Sequence, residues 1–463
     1  MKIVKIWRNK EICKRKEIRM RKALKNFAIF CILVIIIAGV ILPRELNNLD
    51  EVWNFNFARN IANGLVPYRD FNMVQTPLLS IICGVFLKLF GTELFAMRIL
   101  AVILCSLIML FAYKILEKLE IPTTLIYAFL IFMICLYEEH FCIDYNFAVL
   151  LIILEVILIE LNNIEKKNHK LNFVAGILVG MSILTKQTTG IFLALVFLLY
   201  KILIITNKKE IKEYKKETVY KILGVIVPIV LFCTYITICN NWNYFVDYTI
   251  SGIKTFSNKI SYVNLINGNY GITVSVLSIL IPILLFLIYI KTVVFSNKNK
   301  DKSIYILFAY SVASLIVVYP ISDSIHFLIG IFPALILLLY FLWLSLIKKI
   351  PRNKFTMFVK DYIKCVLILT ALTRVCISAN ELVKYKKEAN MYKELQNFKY
   401  IKAESNGIQK IDQFIAECEK NDKTVYILDA TAPIYMIPIN KYNKDYDMFL
   451  KGNLGRKRRT RAD

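Results

Sequence analysis

Long apolar runs recur along nearly the whole chain, and short polar segments rich in lysine separate them. The runs lie at about 24–43, 95–114, 123–138, 145–161, 171–185, 188–206, 220–240, 271–290, 303–320, 325–347 and 355–377. Most come close to the ~20 residues an α-helix needs to cross a bilayer. The pattern predicts an all-α polytopic membrane protein of about eleven transmembrane helices. Two further stretches read as helices lying on the membrane surface, near 50–63 and 76–90. The first has Asp50 and Glu51 in its opening turn, an asparagine before them as N-cap, and Gly64 just past its end. Trp53, Phe57 and Ile61 recur every four residues and form an apolar face expected to lie on lipid, while Asp50 and Asn54 share another face. The second stretch begins Gln75-Thr76-Pro77, is short for a span, and carries Lys88 before Gly91.

Charge decides the topology. Residues 1–23 are strongly basic and form a cytoplasmic N-terminus ahead of a first span that lacks the small-residue exit of a cleaved signal peptide. If 76–90 crossed the membrane, the lysine-rich loops at 201–221, 291–302 and 348–354 would all fall outside. If it lies on the outer surface, they fall inside, as the positive-inside rule requires. The second arrangement places Asp50, Glu51 and the C-terminal region outside, in a bacterial plasma membrane. The 463 residues are 57% hydrophobic with net charge +25, and that charge sits between apolar runs, which fits a membrane surface rather than nucleic acid. Eleven cysteines show no metal-ligand spacing and mostly lie in or beside apolar runs.

With this topology, unusual polar residues gather on one side. They are Glu138-Glu139-His140 with Asp144, the hairpin Lys186-Gln187, and the turn Asp323-Ser324-Ile325-His326. Ionisable groups at membrane depth cost ~2.5–3.5 kcal/mol each, so their convergence needs a reason. Each also has a plain reading. Lys186 can snorkel to the interface, Asp144 can cap the helix that follows, and Asp50-Glu51 can complement a helix dipole. The aromatic loop 240–270 fits either a lid or an interface belt.

Residues 378–463 read as an extracytoplasmic region, helical over 381–422, then a strand at Lys423–Ala430 and a glycine turn at Gly452–Gly455. One strand makes no sheet, so this is the start of a short α/β region that the abrupt Arg456–Asp463 composition suggests is cut short.

The order of motifs resembles a known family. An outer Asp50-Glu51 pair is followed by Asn63-Gly64, Val66-Pro67-Tyr68-Arg69-Asp70-Phe71, Gln75-Thr76-Pro77-Leu78, Leu89-Phe90-Gly91, and Arg98 entering the next span. Leu184-Thr185-Lys186-Gln187-Thr188-Thr189-Gly190 and Tyr319-Pro320 with Ser322–Phe327 add to it. This resembles the GT-C-fold glycosyltransferases of the protein O-mannosyltransferase and aminoarabinose-transferase-like group. The resemblance implies inverting transfer of a sugar from a polyprenyl-phosphate donor to an acceptor hydroxyl on the outer face, the acceptor being a glycan, protein or lipid. It implies Asp50 as base with Glu51 as partner, and Arg59, Tyr68, Arg69, Gln75, Asp144, Lys186, Gln187, Asp323 and His326 around the substrates. A divalent cation, Mg or Mn, would fall to Asp144 and Glu139. Many relatives carry Lys-Pro where this chain has Thr76-Pro77, and Arg where it has Trp53; Lys186 is the substitute cation. A lipid-linked-sugar flippase or a non-catalytic assembly subunit are the rival readings. A flippase predicts polar residues threaded through span interiors, whereas several spans here are nearly pure hydrocarbon.

Overall fold

The computed structural model describes residues 2–46, 49–203, 205, 208–251, 259–294, 301–345, 353–392, 400–402, 406–423 and 425. It is a helical bundle. In chain order the long helices are α1 (Lys2–Ile41), α2 (Leu49–Ala62), α3 (Leu78–Phe90), α4 (Leu94–Lys118), α5 (Thr123–Tyr137), α6 (Tyr145–Lys166), α7 (His169–Thr185), α8 (Gln187–Leu199), α9 (Lys208–Ile238), α10 (Ile272–Tyr289), α11 (Lys302–Leu315), α12 (Ser324–Ser345), α13 (Lys354–Tyr392) and α14 (Asn406–Lys420).

Each of the eleven expected spans coincides with one of these helices. Seven are long and apolar enough to cross a membrane: α1, α4, α6, α9, α10, α12 and α13. The other four, α5, α7, α8 and α11, are shorter apolar helices, as is α3. The protein is therefore a multi-pass membrane protein. Basic and acidic flanks prolong several helices beyond their apolar runs. α1 begins at Lys2, α9 takes in the lysine-rich stretch from Lys208, and α13 continues unbroken past residue 378.

The core runs through the bundle, with Ile108 and Met109 of α4, Val149 and Ile153 of α6 and Phe332 of α12 all fully buried. α7 and α9 touch backbone to backbone. A Cβ on Gly176 would sit 2.3 Å from the Lys221 carbonyl oxygen, and one on Gly224 would sit 2.2 Å from that of Phe173. Small residues allow this approach, which replaces the hydrophobic drive that lipid does not supply.

The surface helices α2 and α3 form as expected, and Gly64 ends the first with φ of 87°. The N-cap asparagine falls outside the described residues. The lipid-facing assignment of α2 is corrected. Trp53 and Phe57 are buried, in a cluster with Tyr68, Phe71, Met73, Ile236 and Tyr248. Trp53 and Phe57 have ring centroids 5.0 Å apart, and Phe57 stacks on Phe71 at 5.9 Å. The reason is that the loop after α9 folds over α2. Tyr248 donates to Asn72 Oδ1 at 2.6 Å, Asn241 Nδ2 donates to the Pro67 carbonyl at 2.6 Å, and Phe245 packs edge-on against Tyr68. The described part of loop 240–270 is thus a cover, not only a belt. α3 instead carries the exposed apolar face, with Ile82, Val85, Leu89 and Phe90 outward and Leu79, Cys83 and Leu87 inward.

The expected C-terminal strand and glycine turn fall on residues of which only Lys423 and Val425 are described.

Candidate active site

Asp50 and Glu51 are adjacent in the first turn of α2, so their side chains diverge by about 100° around the helix. Glu51 points inward. Its carboxylate takes two bonds from Arg98 at the start of α4, at 2.9 and 3.0 Å, and both groups are buried. Arg98 also donates to the carbonyls of Leu42, Arg44 and Glu45. One guanidinium therefore clamps the connection from α1 and the first turn of α2 together, and this fixes the direction in which Asp50 projects.

The Asp50 carboxylate has no hydrogen bond or ion pair among the described residues. Its backbone carbonyl accepts Asn54 Nδ2 at 2.8 Å. The charged groups acting on it are Asp144, Asp323, His326 and Lys186. Burial raises its pKa most, the like charges of Asp144 and Asp323 raise it further, and His326 and Lys186 oppose them; the result is about 7.

Each neighbour is held at a helix end. Asp144 is the N-cap of α6, accepting the Asn146 N–H at 2.7 Å, and is itself buried. Lys186 sits between α7 and α8 in an extended conformation that turns the chain. Its ammonium donates to Asn146 Oδ1 at 2.6 Å and lies 5.1 Å from the Tyr145 ring centre. Desolvation lowers the Lys186 pKa to about 8, against the pull of Asp144, Asp323 and Asp50. Asp323 caps α12, its Oδ1 accepting the His326 backbone N–H at 2.9 Å and lying 2.7 Å from His326 Nδ1.

The fold therefore brings together Asp50, Asp144, Lys186, Asp323 and His326, from four separate stretches of sequence. The other expected residues serve different contacts. Glu51 holds Arg98. Arg59 donates to Asn56 and lies over Phe55. Arg69 is paired with Asp70 at 2.9 Å. Tyr68 donates to the Gln75 carbonyl at 2.9 Å, and Gln75 Nε2 is buried without a hydrogen bond among the described residues. Gln187 latches α8 to the segment before α3, donating to the Val74 carbonyl at 2.9 Å and accepting from the Thr76 N–H at 3.3 Å. Asn146, Tyr145 and Arg98 are the supporting residues that sequence reasoning passed over or used only as a marker. The one signal was a polar residue, Asn146, opening an otherwise apolar helix.

The donor set does not fit the expected cation. Glu139 is exposed while Asp144 is buried and committed to capping α6, and no three His, Cys, Asp or Glu side chains among the described residues converge to hold a metal ion.

Comparison with known proteins bears on this arrangement. Residues 74–237 match the family model described as dolichyl-phosphate-mannose-protein mannosyltransferase. The chain also superposes on the crystal structure of ArnT from Cupriavidus metallidurans bound to undecaprenyl phosphate, with a TM-score of 0.54 and 12% identity, over 81% of this chain and 80% of that one. The protein has the GT-C fold. The matched stretch of this GT-C chain contains Asp144, Lys186 and Gln187, and the structural coverage extends the likeness well beyond it. The family resemblance read from the motifs is borne out at the level of the GT-C fold. No curated protein matches the sequence.

Proposed function

We propose that the protein is an inverting glycosyltransferase that moves a sugar from a polyprenyl-phosphate donor to an acceptor hydroxyl. The observation that carries this reading is the unpartnered Asp50 carboxylate, set beside an ammonium and a carboxylate-bound histidine in a GT-C fold. The acceptor oxygen attacks the anomeric carbon from one face, the bond to the donor phosphate breaks on the other, and the hydroxyl proton passes to Asp50. A base of pKa about 7 is matched to work near neutral pH, and such a base contributes typically 10²–10⁴-fold. The departing phosphate gains a negative charge, which Lys186 and His326 are placed to neutralise.

Lys186 also answers the absence of lysine at position 76. The Thr76 hydroxyl donates to the Ile183 carbonyl at 2.8 Å, and Gln187 binds the Thr76 N–H. The Lys186 turn is thus tied to the place where many relatives carry their own cation. The ArnT likeness, with undecaprenyl phosphate bound in that protein, supports a polyprenyl-phosphate carrier here. The lysine-rich connections 208–221 and 348–354 favour the arrangement that puts Asp50 on the outer surface, so the transfer takes place on the extracytoplasmic side.

The test is purified protein with a labelled polyprenyl-phosphate sugar and a panel of acceptors. Wild-type protein should release the polyprenyl phosphate, and Asp50→Asn should lose at least a hundredfold. Equal turnover by Asp50→Asn overturns the base assignment, and movement of intact donor across a bilayer without turnover overturns the enzyme.

A further inference from the structure

The opposite end of the bundle holds a second polar centre that the transfer reaction does not use. α6 starts beside the Asp50 site and runs 22 residues to Lys166, a rise of about 33 Å at 1.5 Å per residue, which is the thickness of a hydrocarbon core. Near its far end Glu160, only 2% exposed, is paired with Lys221 at 2.7 Å. The Tyr200 hydroxyl donates to Glu160, and Lys201 bridges Glu160 and Glu217. Two glutamates and two lysines therefore close a cluster of no net charge.

Beside this cluster lies a cavity of about 110 Å³, walled by the far ends of α6 and α8 and the near ends of α9 and α11. Two fully or almost fully buried polar atoms in its neighbourhood lack hydrogen bonds among the described residues. They are the Tyr310 hydroxyl, whose ring is 5.9 Å from that of Tyr200, and Nδ2 of Asn172, whose Oδ1 is bonded to Asn163 in the cavity wall. Neither residue lines the cavity, and buried polar groups of this kind are places for bound water.

The lining carries both signs of charge. Glu210, Glu213 and Glu217 recur on one face of α9 and line the cavity, while the lysines between them do not. At the mouth stand Lys167 and Lys302, both exposed and with neither ammonium paired among the described residues. The acidic row repels a purely anionic group, and the two free ammoniums repel a purely cationic one. A zwitterion satisfies both.

We propose that this cavity binds the phosphoethanolamine headgroup of a phospholipid in the leaflet opposite the Asp50 site. The phosphate lies between Lys167 and Lys302, and the ammonium reaches Glu213, whose carboxylate stands 3.8 Å from His169 Nε2. The inference does not depend on the transfer reaction.

The test uses full-length protein, purified in detergent and delipidated, then titrated by native mass spectrometry. The probes are phosphatidylethanolamine, phosphatidylglycerol and soluble O-phosphoethanolamine. Phosphatidylethanolamine should be retained at about tenfold lower concentration than phosphatidylglycerol, and more tightly than the soluble headgroup. Lys302→Gln and Glu213→Gln should each weaken its retention about tenfold, with Lys302→Arg restoring it and Lys212→Gln on another face of α9 changing nothing. An unchanged melting temperature shows that the variants fold. Equal retention of the two lipids, or variants that bind like wild type, overturns the proposal. Soluble O-phosphoethanolamine binding as tightly as the lipid overturns the lipid as its source.

Discussion

Asp50→Asn should make the protein more stable while removing its activity. The carboxylate stands at about 7 in the folded protein, against ~3.9 for an exposed aspartate. The native state thus holds that proton more tightly than the unfolded chain does. Stability from this group is present at low pH and is lost as pH rises from about 4 through 7. Each pKa unit is worth about 1.4 kcal/mol, so the ceiling on the loss is about 4 kcal/mol. Partial solvent contact lowers this, and about 1–3 kcal/mol remains. Near pH 8 the neutral asparagine side chain escapes the whole penalty; near pH 5 the native aspartate is protonated while the unfolded one is ionised, so about a third of the penalty is still present, and only below about pH 4 does it vanish. The melting temperature of purified Asp50→Asn should therefore exceed that of wild type by a few degrees near pH 8, by about a third as much near pH 5, and match it only below about pH 4. Donor turnover in the same preparation should fall by 10²–10⁴-fold. A lower melting temperature near pH 8, or the same gain at both pH values, refutes the claim that this site holds its carboxylate at an energetic cost.

Further expectations follow from the same geometry. The base must be ionised and Lys186 protonated, so the transfer rate should rise with pH through about 7 and fall through about 8; a flat profile over that range contradicts both roles. Lys186→Gln should abolish the alkaline limb and move the acid limb upward, because its charge holds the Asp50 pKa down. Arg98→Ala removes both bonds from the guanidinium to the buried Glu51 carboxylate and should cost about 3–5 kcal/mol, read as a large drop in melting temperature; wild-type stability would show that the clamp is dispensable. Gly176→Ala puts a methyl 2.3 Å from the Lys221 carbonyl and should lower stability by about 1–3 kcal/mol unless α7 and α9 separate.

The apolar helices and their order were legible because lipid forces every backbone group into a helix; length alone marks seven of them as able to cross, and the shorter ones were told from α3 only by the charge of the loops. The helix α2 was legible from its acidic first turn and from Gly64 at its end. What an amphipathic face touches was not. Trp53 and Phe57 have the spacing of a lipid-facing stripe, yet the loop carrying Phe245 and Tyr248 covers them. Periodicity says that a face is buried and is silent about whether lipid or protein buries it.

The same limit divides the site. Asp50, Asp144, Lys186, Asp323 and His326 could be picked out because each is an ionisable group bounding an apolar run, and such groups need a reason. Glu51 looked identical to Asp50 in sequence, but one residue of helical rotation sends it to Arg98, 47 positions away, and makes it a structural anchor. The far cluster shows the converse. Lys201 and Lys221 bound a stretch that charge parity counted only as a marker of sidedness, and nothing in the sequence singled out Glu160 or Glu217. Burial turns them into a closed ion network, because α9 begins at Lys208 and carries Glu217 and Lys221 down into the bundle against α6. A lysine at the end of an apolar run thus reports topology when it faces water and a built site when a neighbouring helix covers it. Only the packing distinguishes the two.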